Sequence, residues 1–326
     1  MIIQNSSRAL TQILKEICAE REIQLDALSS DWFFRLTKGT RVRHVFGYDF
    51  PLNNATAQMI AKDKAATAKL LETDNIPAVP HRIFHGPQLV GYVPMSGNWR
   101  DILDLFYLHN EDVVCKRNEG TGGSDVFRAK TVNELEIAVH RIFQKSRSLA
   151  ISPYLKIDNE FRVIVLNKQT ELVYAKQRPT LWGNGLSTIN ELALEFLANQ
   201  ANNNSQWEPL IESLKGTDTT QVLPTGELFH LNWRHNLGQG AQAHILEANC
   251  ATTKAISQLA LQATHSIDID FASVDIVETQ GTFQILEINS GIMMESLAQQ
   301  GNRDYAKKIY EKAVCLMLEI YTSASD

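Results

Sequence analysis

The stretch Ile269–Gly291, IDFASVDIVETQGTFQILEINSG, has two apolar runs on either side of a short polar turn that contains Gly281. This pattern predicts a β-hairpin closed by a loop of a few residues. Because side chains alternate along a strand, Glu287 and Asn289 are expected on the same face of the second strand. A hairpin centred near Gly281 places Asp275 across from Glu287 on that face. Two opposed carboxylates with little water around them repel each other, so we expect a positive charge between them.

The side chains of Asp275, Glu287 and Asn289 form a candidate metal site. Mg²⁺ binds oxygen ligands, commonly one or two carboxylates, and completes its octahedron with waters and substrate phosphates. A polar strand edge that faces solvent is the alternative interpretation. The other motifs of the chain bear on the choice between the two.

Composition limits the class of protein. The chain has 326 residues, of which 44% are hydrophobic and 21% charged, as in a soluble globular protein with two or three subdomains. Its net charge of −6 argues against a general binder of nucleic acid or anionic membranes. The cysteines form no C-x-x-C pair, and neither a membrane span nor a signal peptide is apparent. We therefore expect a cytoplasmic protein.

Hydrophobic periodicity divides the chain into three predicted parts. Residues 1–50 form a short cap made of a helix, a strand and a hairpin. Residues 51–152 form a first α+β part, in which the region from about residue 77 has the shape of a mobile lid. Residues 153–326 form a second part that contains the hairpin. Its other predicted elements include an irregular segment at 179–190, a strand at Leu228–Trp233 and helices at Glu191–Leu197 and Ala248–His265.

Two lysines and a glycine-rich loop are candidates for phosphate binding. Lys64 follows Asp63, the predicted N-cap of a helix, where the helix dipole disfavours a cation. It is therefore either held by another group or solvated. Lys116 ends a predicted strand and precedes RNEGTGGSD, whose glycines let backbone N–H groups approach a polyphosphate closely. The loop matches neither a Walker A sequence nor GxGxxG, and a flexible turn is the alternative.

Weaker patterns surround these groups. An extended hinge at Ser152–Leu155 can offer backbone groups to an adenine edge, and Glu160 can accept hydrogen bonds from ribose hydroxyls. Glu160 and Arg162 share a strand face, where an exposed ion pair is the alternative. Arg234 and Gly240 lie in a second glycine-containing loop that could stabilise a transferring phosphoryl group, or be a basic surface turn. Neither H-E-x-x-H nor G-x-S-x-G occurs, so zinc and serine hydrolases have no support.

The order of these motifs resembles the ATP-grasp family, over roughly Tyr48 to Gly301. It is similar to cyanophycin synthetases, bifunctional glutathione synthases and ribosomal-protein glutamate ligases. The phrases that carry the resemblance are PLNNATAQMIAKDKAATAKLL, VVCKRNEGTGG, GNGLSTINEL, TGELFHLNWRHNLGQG and ILEINSG.

The resemblance implies an α+β, ATP-grasp fold, in which two α+β subdomains grip ATP between them behind the short N-terminal cap. It also implies a role for each candidate residue. The ATP-binding residues would be Lys64, Lys116, Gly120, Thr121, Gly122, Gly123, Tyr154, Leu155, Glu160 and Arg162. Mg²⁺, usually two ions with Mn²⁺ as an alternative, would be bound by Asp275, Glu287 and Asn289. The acyl phosphate and substrate would face Arg178, Arg234, Asn236 and Gly240.

The implied activity is that of an ATP-dependent carboxylate–amine ligase. A carboxylate of an amino acid or peptide would attack ATP to give an acyl phosphate and ADP, and an amine would then displace phosphate. A phosphotransferase that acts on a small molecule without ligation and a non-catalytic nucleotide-binding module are the alternatives. The expected partners are ATP and a small-molecule or peptide substrate, with no nucleic acid or membrane, and a homo-oligomer is left open.

Several positions depart from the family pattern. Ser152 stands where a hinge glutamate is common, Ala241 replaces the second glycine of the basic loop, and Asp125 adds negative charge beside the phosphate loop. Many relatives also carry a full domain before the ATP-grasp region, which about fifty residues cannot supply. The acceptor would therefore bind a shallower surface, be held by a second subunit, or be the end of a peptide or protein.

Overall fold

The computed structural model describes residues 8–86, 89, 92, 99–120, 125–199, 214 and 217–320. The chain forms two compact units. Unit 1 comprises Met1–Val173 and Leu246–Asp326, and unit 2 comprises Tyr174–Ile245. In the part of the chain that the structure describes, no helix is long and apolar enough to cross a membrane.

The described residues form helices and strands with the following bounds. The helices are α1 (Ala9–Glu20), α2 (Ala55–Lys62), α3 (Lys64–Thr73), α4 (Trp99–Leu108), α5 (Val132–Phe143), α6 (Ile189–Asn199), α7 (Ala251–Ile267) and α8 (Arg303–Met317). The strands are β1 (Gln24–Leu28), β2 (Phe33–Lys38), β3 (Arg41–Phe46), β4 (Arg82–His85), β5 (Val113–Arg117), β6 (Val126–Ala129), β7 (Ser148–Pro153), β8 (Asn159–Leu166), β9 (Gln169–Gln177), β10 (Thr180–Trp182), β11 (Leu228–His230), β12 (Gln242–Ile245), β13 (Phe271–Thr279) and β14 (Thr282–Asn289).

The predicted hairpin is confirmed as β13 and β14, which pair antiparallel. Gln280 and Gly281 form its two-residue loop with φ angles of 51° and 76°. Positive φ at both loop positions matches the right-handed twist of the flanking strands, and glycine adopts it without steric cost. Every residue of β13 from Phe271 to Val277 is buried, so the strand lies in the middle of the core.

In unit 1 the strands β9, β8, β13 and β14 lie side by side, and α7 packs on β8, β13 and β14. Helix α3 packs on α7 and β14, which places the start of α3 near the hairpin. Asp63 caps α3, as predicted, because its side chain accepts a hydrogen bond from the Ala66 N–H. The preceding helix α2 was not predicted. It is capped by Asn54, and Asp63 is both its C-cap residue and the N-cap residue of α3, so α2 ends where the predicted helix begins.

A second sheet of unit 1 has the strand order β4-β7-β5-β6, with α4 and α5 contributing to its core. From His81 to Ser152 the sequence pattern predicts a strand, a helix, a strand, a loop, a strand, a helix and a strand, and the structure has this order. Thr131 caps α5 by accepting from the Glu134 N–H, and the Glu134 carboxylate accepts from the Lys130 N–H. This reciprocal arrangement is close to the capping box that the residue types at Thr131 and Glu134 predict.

The cap predicted at the start of the chain contains α1 and the antiparallel sheet β1-β2-β3. Helix α1 packs on α8. Its first N–H groups, those of Ala9 and Leu10, donate to the Glu295 carboxylate at 2.6 and 3.1 Å. A side chain from the far end of the sequence therefore satisfies helix donors that no local N-cap serves.

Unit 2 contains α6, the pair β10-β11, and β12 paired with Tyr174–Gln177 of β9. The segment 179–190 was predicted to be irregular, but its Thr180–Trp182 forms β10. The strand predicted at Leu228–Trp233 ends at His230. Strands of three residues are too short to show a period of two, so only the pairing partner defines them.

Candidate nucleotide and metal site

A β-bulge determines which side chains of the hairpin face each other. Thr279 pairs with Thr282 and Ile276 with Ile285, but Asp275 pairs with Glu287, which leaves Leu286 as an extra residue in β14. An unbroken register would place Leu286 opposite Asp275 and turn Glu287 to the other face. The predicted opposition of the two carboxylates is confirmed, and the bulge is its structural cause.

A row of charged side chains crosses three neighbouring strands at this level. Asp275 pairs in register with Arg162 on β8 and with Glu287 on β14. The Arg162 guanidinium donates from Nε and one Nη to the two Asp275 oxygens, both at 2.7 Å. Asp275 is 2% exposed, so this bidentate ion pair is buried. Arg162 thus supplies a positive charge on the β8 side of Asp275, whereas the sequence led us to expect a positive charge between Asp275 and Glu287.

The second carboxylate has two polar neighbours of its own. Asn289 Nδ2 donates to Glu287 Oε1 at 3.3 Å, and Lys64 Nζ lies 3.9 Å from Glu287 Oε2. Glu287 and Asn289 are partly exposed, whereas Asp275 is not. Among the three candidate ligands, the two on β14 are therefore more accessible than Asp275.

The donor set fits a hard divalent cation. Asp275, Glu287 and Asn289 offer two carboxylates and an amide oxygen, and a carboxylate oxygen that accepts one hydrogen bond retains a second lone pair. Among the described residues, no three His, Cys, Asp or Glu side chains form a cluster that could hold a metal. Nucleotide phosphates and water would have to supply the other ligands, which is the usual arrangement for Mg²⁺.

Lys64 is held rather than solvated. Its ammonium donates to the Gly120 carbonyl at 2.5 Å and lies 3.5 Å from the Asn118 carbonyl. Only 9% of its surface is exposed. The two carbonyls and Glu287 therefore offset its position at the positive end of α3, which resolves the alternative that the sequence leaves open.

Lys116 lies on β5 and is 7% exposed. The pKa of its ammonium is lowered to about 8, mainly by burial and also by the charge of Lys64. The carboxylates of Glu287 and Glu160 oppose this shift. A buried ammonium whose pKa is lowered by desolvation next to specific charged groups is a recognised mark of a functional site.

Two buried polar groups beside the lysines were not predicted. Asn118 is fully buried, and its Oδ1 accepts from the Ala65 N–H at 3.1 Å. Its Nδ2 has no hydrogen-bond partner among the described residues, and neither has Nε2 of His81. His81 Nδ1 lies 2.8 Å from the Val79 carbonyl, so Nδ1 carries the proton and Nε2 is an acceptor. Burial, followed by the charge of Lys116, lowers the pKa of His81 well below its usual value. Asn118 lies within the quoted phrase VVCKRNEGTGG, but no sequence pattern marks His81.

The structure describes some, but not all, of the other residues of unit 1 that were predicted to bind the nucleotide. Gly120 offers its carbonyl to Lys64, whereas Thr121, Gly122 and Gly123 lie outside the described residues. The Tyr154 N–H donates to the Asp112 carbonyl at 2.9 Å, so this donor is already used. Leu155, next along the chain, is half-buried, and Glu160 is 8% exposed on β8. Arg162 pairs with Asp275, which disfavours an exposed pair between Glu160 and Arg162.

The loop candidates of unit 2 form an ordered turn. Asn236 Oδ1 accepts from the Gly238 N–H at 2.8 Å and caps a short 3₁₀ helix, which ends at Gly240 with a left-handed φ of 97°. Arg234 donates to Gln239 Oε1 at 3.3 Å, and burial lowers the pKa of its guanidinium. Arg178 follows β9 in the same unit and lowers the pKa of His230 through its charge. The roles assigned to these residues stay predictions.

Arg162→Met is expected to lower the free energy of unfolding by about 3 kcal/mol, because it removes the bidentate partner of a buried carboxylate. Arg128→Met is the matched control. Arg128 and Asp112 form the same bidentate pair at 2.8 and 2.6 Å, but their side chains are 24% and 31% exposed. Loss of the pair between Arg128 and Asp112 should lower the free energy of unfolding by about 1 kcal/mol. Urea unfolding of both variants measures the difference, and equal losses would contradict the buried pair.

Comparison with known proteins identifies the class. Residues 224–313 match the RimK-like ATP-grasp domain. The solved bifunctional glutathione synthetase from Pasteurella multocida superposes with a TM-score of 0.53 at 15% identity, over 94% of this chain and 44% of that one. The D-alanine–D-alanine ligase from Bacillus anthracis gives 0.52 at 13% identity, over 82% and 72%. The chain has the ATP-grasp fold, as the sequence predicts.

Sequence comparison shows which named proteins the chain is similar to. The chain is homologous to the glutathione biosynthesis bifunctional protein GshAB of Listeria welshimeri, with 23% identity over 336 aligned residues. The alignment covers 95% of this chain and 41% of that protein, so the chain spans less than half the length of this relative. It is also 30% identical over 83 residues to the tetrahydromethanopterin:alpha-L-glutamate ligase of Methanocaldococcus jannaschii, which is 26% of this chain and 27% of that ligase.

Proposed function

We propose that this chain is an ATP-dependent carboxylate–amine ligase that forms an amide bond through an acyl phosphate and releases ADP and phosphate. The observation that carries the proposal is one constellation on unit 1. Buried Lys64 and Lys116 lie beside the carboxylate of Glu287, which the bulge brings opposite Asp275. Cations for phosphates next to oxygen ligands for a divalent metal are what phosphoryl transfer from ATP requires.

The ATP-grasp fold and the named relatives support this class of reaction. The printed names of those relatives describe glutathione biosynthesis, glutamate ligation and D-alanine ligation. An amino acid or a peptide is therefore the proposed substrate, with ATP as the nucleotide. A cytoplasmic location is proposed as well, because all four cysteines are free thiols.

Each group has a proposed task. Lys64 and Lys116 bind the ATP phosphates, and Asp275, Glu287 and Asn289 hold one or two Mg²⁺ ions, with Mn²⁺ as a substitute. When bound, the metal neutralises phosphate charge and bridges the nucleotide to the hairpin. Arg162 orients Asp275 by its two hydrogen bonds. Arg178, Arg234, Asn236 and Gly240 are proposed to face the transferred phosphoryl group and the substrate carboxylate.

The proposed chemistry has two steps. An oxygen of the substrate carboxylate attacks the γ-phosphorus, the bond from that phosphorus to the β-γ bridging oxygen breaks, and ADP leaves. The amine nitrogen then attacks the acyl carbon, the carbon–oxygen bond to phosphate breaks, and the amine loses a proton. Positioning and charge neutralisation carry most of the rate, so no side-chain nucleophile is needed.

Two other functions make different use of the same site. A phosphotransferase would stop after the first transfer, to a small-molecule acceptor. A non-catalytic module would bind ATP without consuming it. The opposed carboxylates and the buried Lys116 disfavour this last function, because both cost stability that simple nucleotide binding does not require.

The test is a product assay with ATP and Mg²⁺ against pairs of amino acids and short peptides. We expect ADP and phosphate to form only when a carboxylate substrate and an amine are both present. AMP as the nucleotide product would overturn the acyl-phosphate mechanism. Turnover without any amine would identify a phosphotransferase, and tight ATP binding without turnover for any pair would favour the binding module.

A further inference from the structure

The hairpin that carries the candidate metal ligands is held at its open end by a segment from outside the sheet. The segment is Tyr48–Asn54, called here the clasp. Its last four residues, Pro51–Asn54, begin the phrase PLNNATAQMIAKDKAATAKLL, and the proposed function assigns the clasp no task. Both strands of the hairpin are tethered to it by hydrogen bonds, one at the start of β13 and the other just after β14.

Asn53 forms the first tether. Its Nδ2 donates to the Phe271 carbonyl at 2.7 Å, and its Oδ1 accepts from the N–H groups of Asp270 and Phe271 at 3.0 and 2.8 Å. Three hydrogen bonds from one amide side chain therefore fix the backbone where β13 begins. The side chain acts like an additional strand residue at that position.

Asp49 and Tyr48 form the second tether. Asp49 Oδ1 accepts from the Ser290 hydroxyl at 3.2 Å, and the Tyr48 carbonyl accepts from the Ile292 N–H at 3.2 Å. Ser290 directly follows Asn289, the last residue of β14. The chain is thus held immediately beyond the candidate ligand that lies nearest the open end.

The bulge makes these tethers important. The two-residue turn at Gln280–Gly281 sets the register only up to the pair Ile276–Ile285, and beyond Leu286 the register shifts. The register that places Glu287 and Asn289 relative to Asp275 therefore depends on contacts other than the turn. The beginning of β13 and the end of β14 are both hydrogen-bonded to the clasp. Their positions relative to each other are therefore fixed, and this keeps the shifted register in place.

We propose that Asn53 and Asp49 are positioning residues for the metal ligands, acting through the backbones of β13 and β14. The proposal rests on the proposed function, because it takes Asp275, Glu287 and Asn289 to be the ligands. Neither residue has to touch ATP or substrate. Loss of a tether would let the oxygens of the two strands drift relative to each other, and Mg²⁺ tolerates little departure from octahedral geometry.

The experiment measures ADP affinity by calorimetry in excess EDTA and again in excess Mg²⁺. The ratio of the two affinities is the metal enhancement, which does not require turnover. In Asn53→Ala we expect the enhancement to fall by about tenfold, the lower end of the range for removing groups that support metal ligands. Affinity in EDTA should stay within about twofold of the wild type, since neither lysine is altered.

Asn54→Ala is the matched control. Asn54 Nδ2 also donates to the segment before β13, at 3.3 Å to the Asp268 carbonyl and 3.2 Å to its carboxylate, but it touches neither strand of the hairpin. Its Oδ1 accepts from the Ala57 N–H and caps α2, so its loss reduces stability as well, while its hydrogen bonds reach Asp268 and Ala57 rather than the hairpin. A comparable fall in melting temperature with an unchanged metal enhancement is expected for this variant.

The outcomes separate this inference from the function on which it rests. A wild-type protein with no metal enhancement, or one that keeps it in Glu287→Gln, would overturn the metal assignment. An enhancement that Glu287→Gln removes and Asn53→Ala retains would overturn the clasp alone. If Asn53→Ala does not fold, Asp49→Ala provides the test, because it removes one hydrogen bond to Ser290 and should lower the enhancement in the same direction.

Discussion

Glu287→Gln is expected to lower ATP turnover by about 10³-fold, equivalent to about 4 kcal/mol of transition-state stabilisation, while the fold is retained. The amide keeps the shape of the side chain but loses the charge that a divalent metal and Lys64 need. Relief of the repulsion with Asp275 is offset by loss of the negative charge that faces Lys64 and Lys116, so the melting temperature should change little. ADP release at saturating ATP and Mg²⁺, together with thermal unfolding, measures both effects.

Glu278→Gln is the matched control for this variant. Glu278 lies on the same hairpin, pairs in register with Phe283, and accepts from Asn159 Nδ2 at 2.8 Å. The same chemical change at this position should leave turnover within about twofold, as for a substitution remote from the site. Full activity of Glu287→Gln with an unchanged Mg²⁺ requirement would rule out the metal assignment.

Lys116→Met is expected to change stability and ligand binding in opposite directions. Burial lowers the pKa of Lys116 to about 8, below the value of about 10.4 that applies to an unfolded lysine. Its charge therefore costs folding free energy below pH 8, and this cost disappears as the pH rises from 8 towards 10.4. At pH 7 the variant should be more stable by about 1–3 kcal/mol. Its ATP affinity should fall by about 10–100-fold through loss of a charged hydrogen bond.

Lys69→Met serves as the control, because the Lys69 side chain on α3 is 75% exposed and pairs only with Glu72 on the surface. It should change stability by less than about 0.5 kcal/mol and leave ATP affinity unaltered. A pH titration adds a second measurement. Wild-type ATP affinity should weaken above about pH 8 as Lys116 loses its proton, and Lys116→Arg should remove this dependence. If Lys116→Met binds ATP as tightly as the wild type, the proposed phosphate-binding role of Lys116 is wrong.

Local sequence patterns were sufficient for most of the fold. The hairpin, the capped helices α3 and α5, and the order of elements after His81 follow from periodicity, turn chemistry and capping residues, which act over a few residues. The errors lie in short elements such as β10 and β11, and in α2, which ends at the residue that caps the next helix. In each case, a partner distant in sequence or an adjacent element defined the boundary.

The sequence predicted which residues form most of the candidate site, but only part of how they are arranged in space. The sequence pointed to Lys64, Lys116 and the hairpin ligands, but not to His81 or Asn118. Each of these two has a side-chain nitrogen without a hydrogen-bond partner among the described residues. A buried polar atom without a partner can be recognised only when its surroundings are known. Burial and neighbouring charge, which set the pKa of Lys116, are likewise properties of the folded chain.

The sequence by itself determined that Asp275, Glu287 and Asn289 would lie on a hairpin, because alternation along a strand and a Gln-Gly turn are local properties. The sequence also predicted that Glu287 would face Asp275, but the tertiary structure alone decided that this opposition depends on a bulge at Leu286. Ile285 is held by backbone hydrogen bonds with Pro77 and Val79, and Arg162 meets Asp275 from β8. Register in a bulged strand depends on such distant partners, since the turn specifies pairing only as far as the ladder is unbroken.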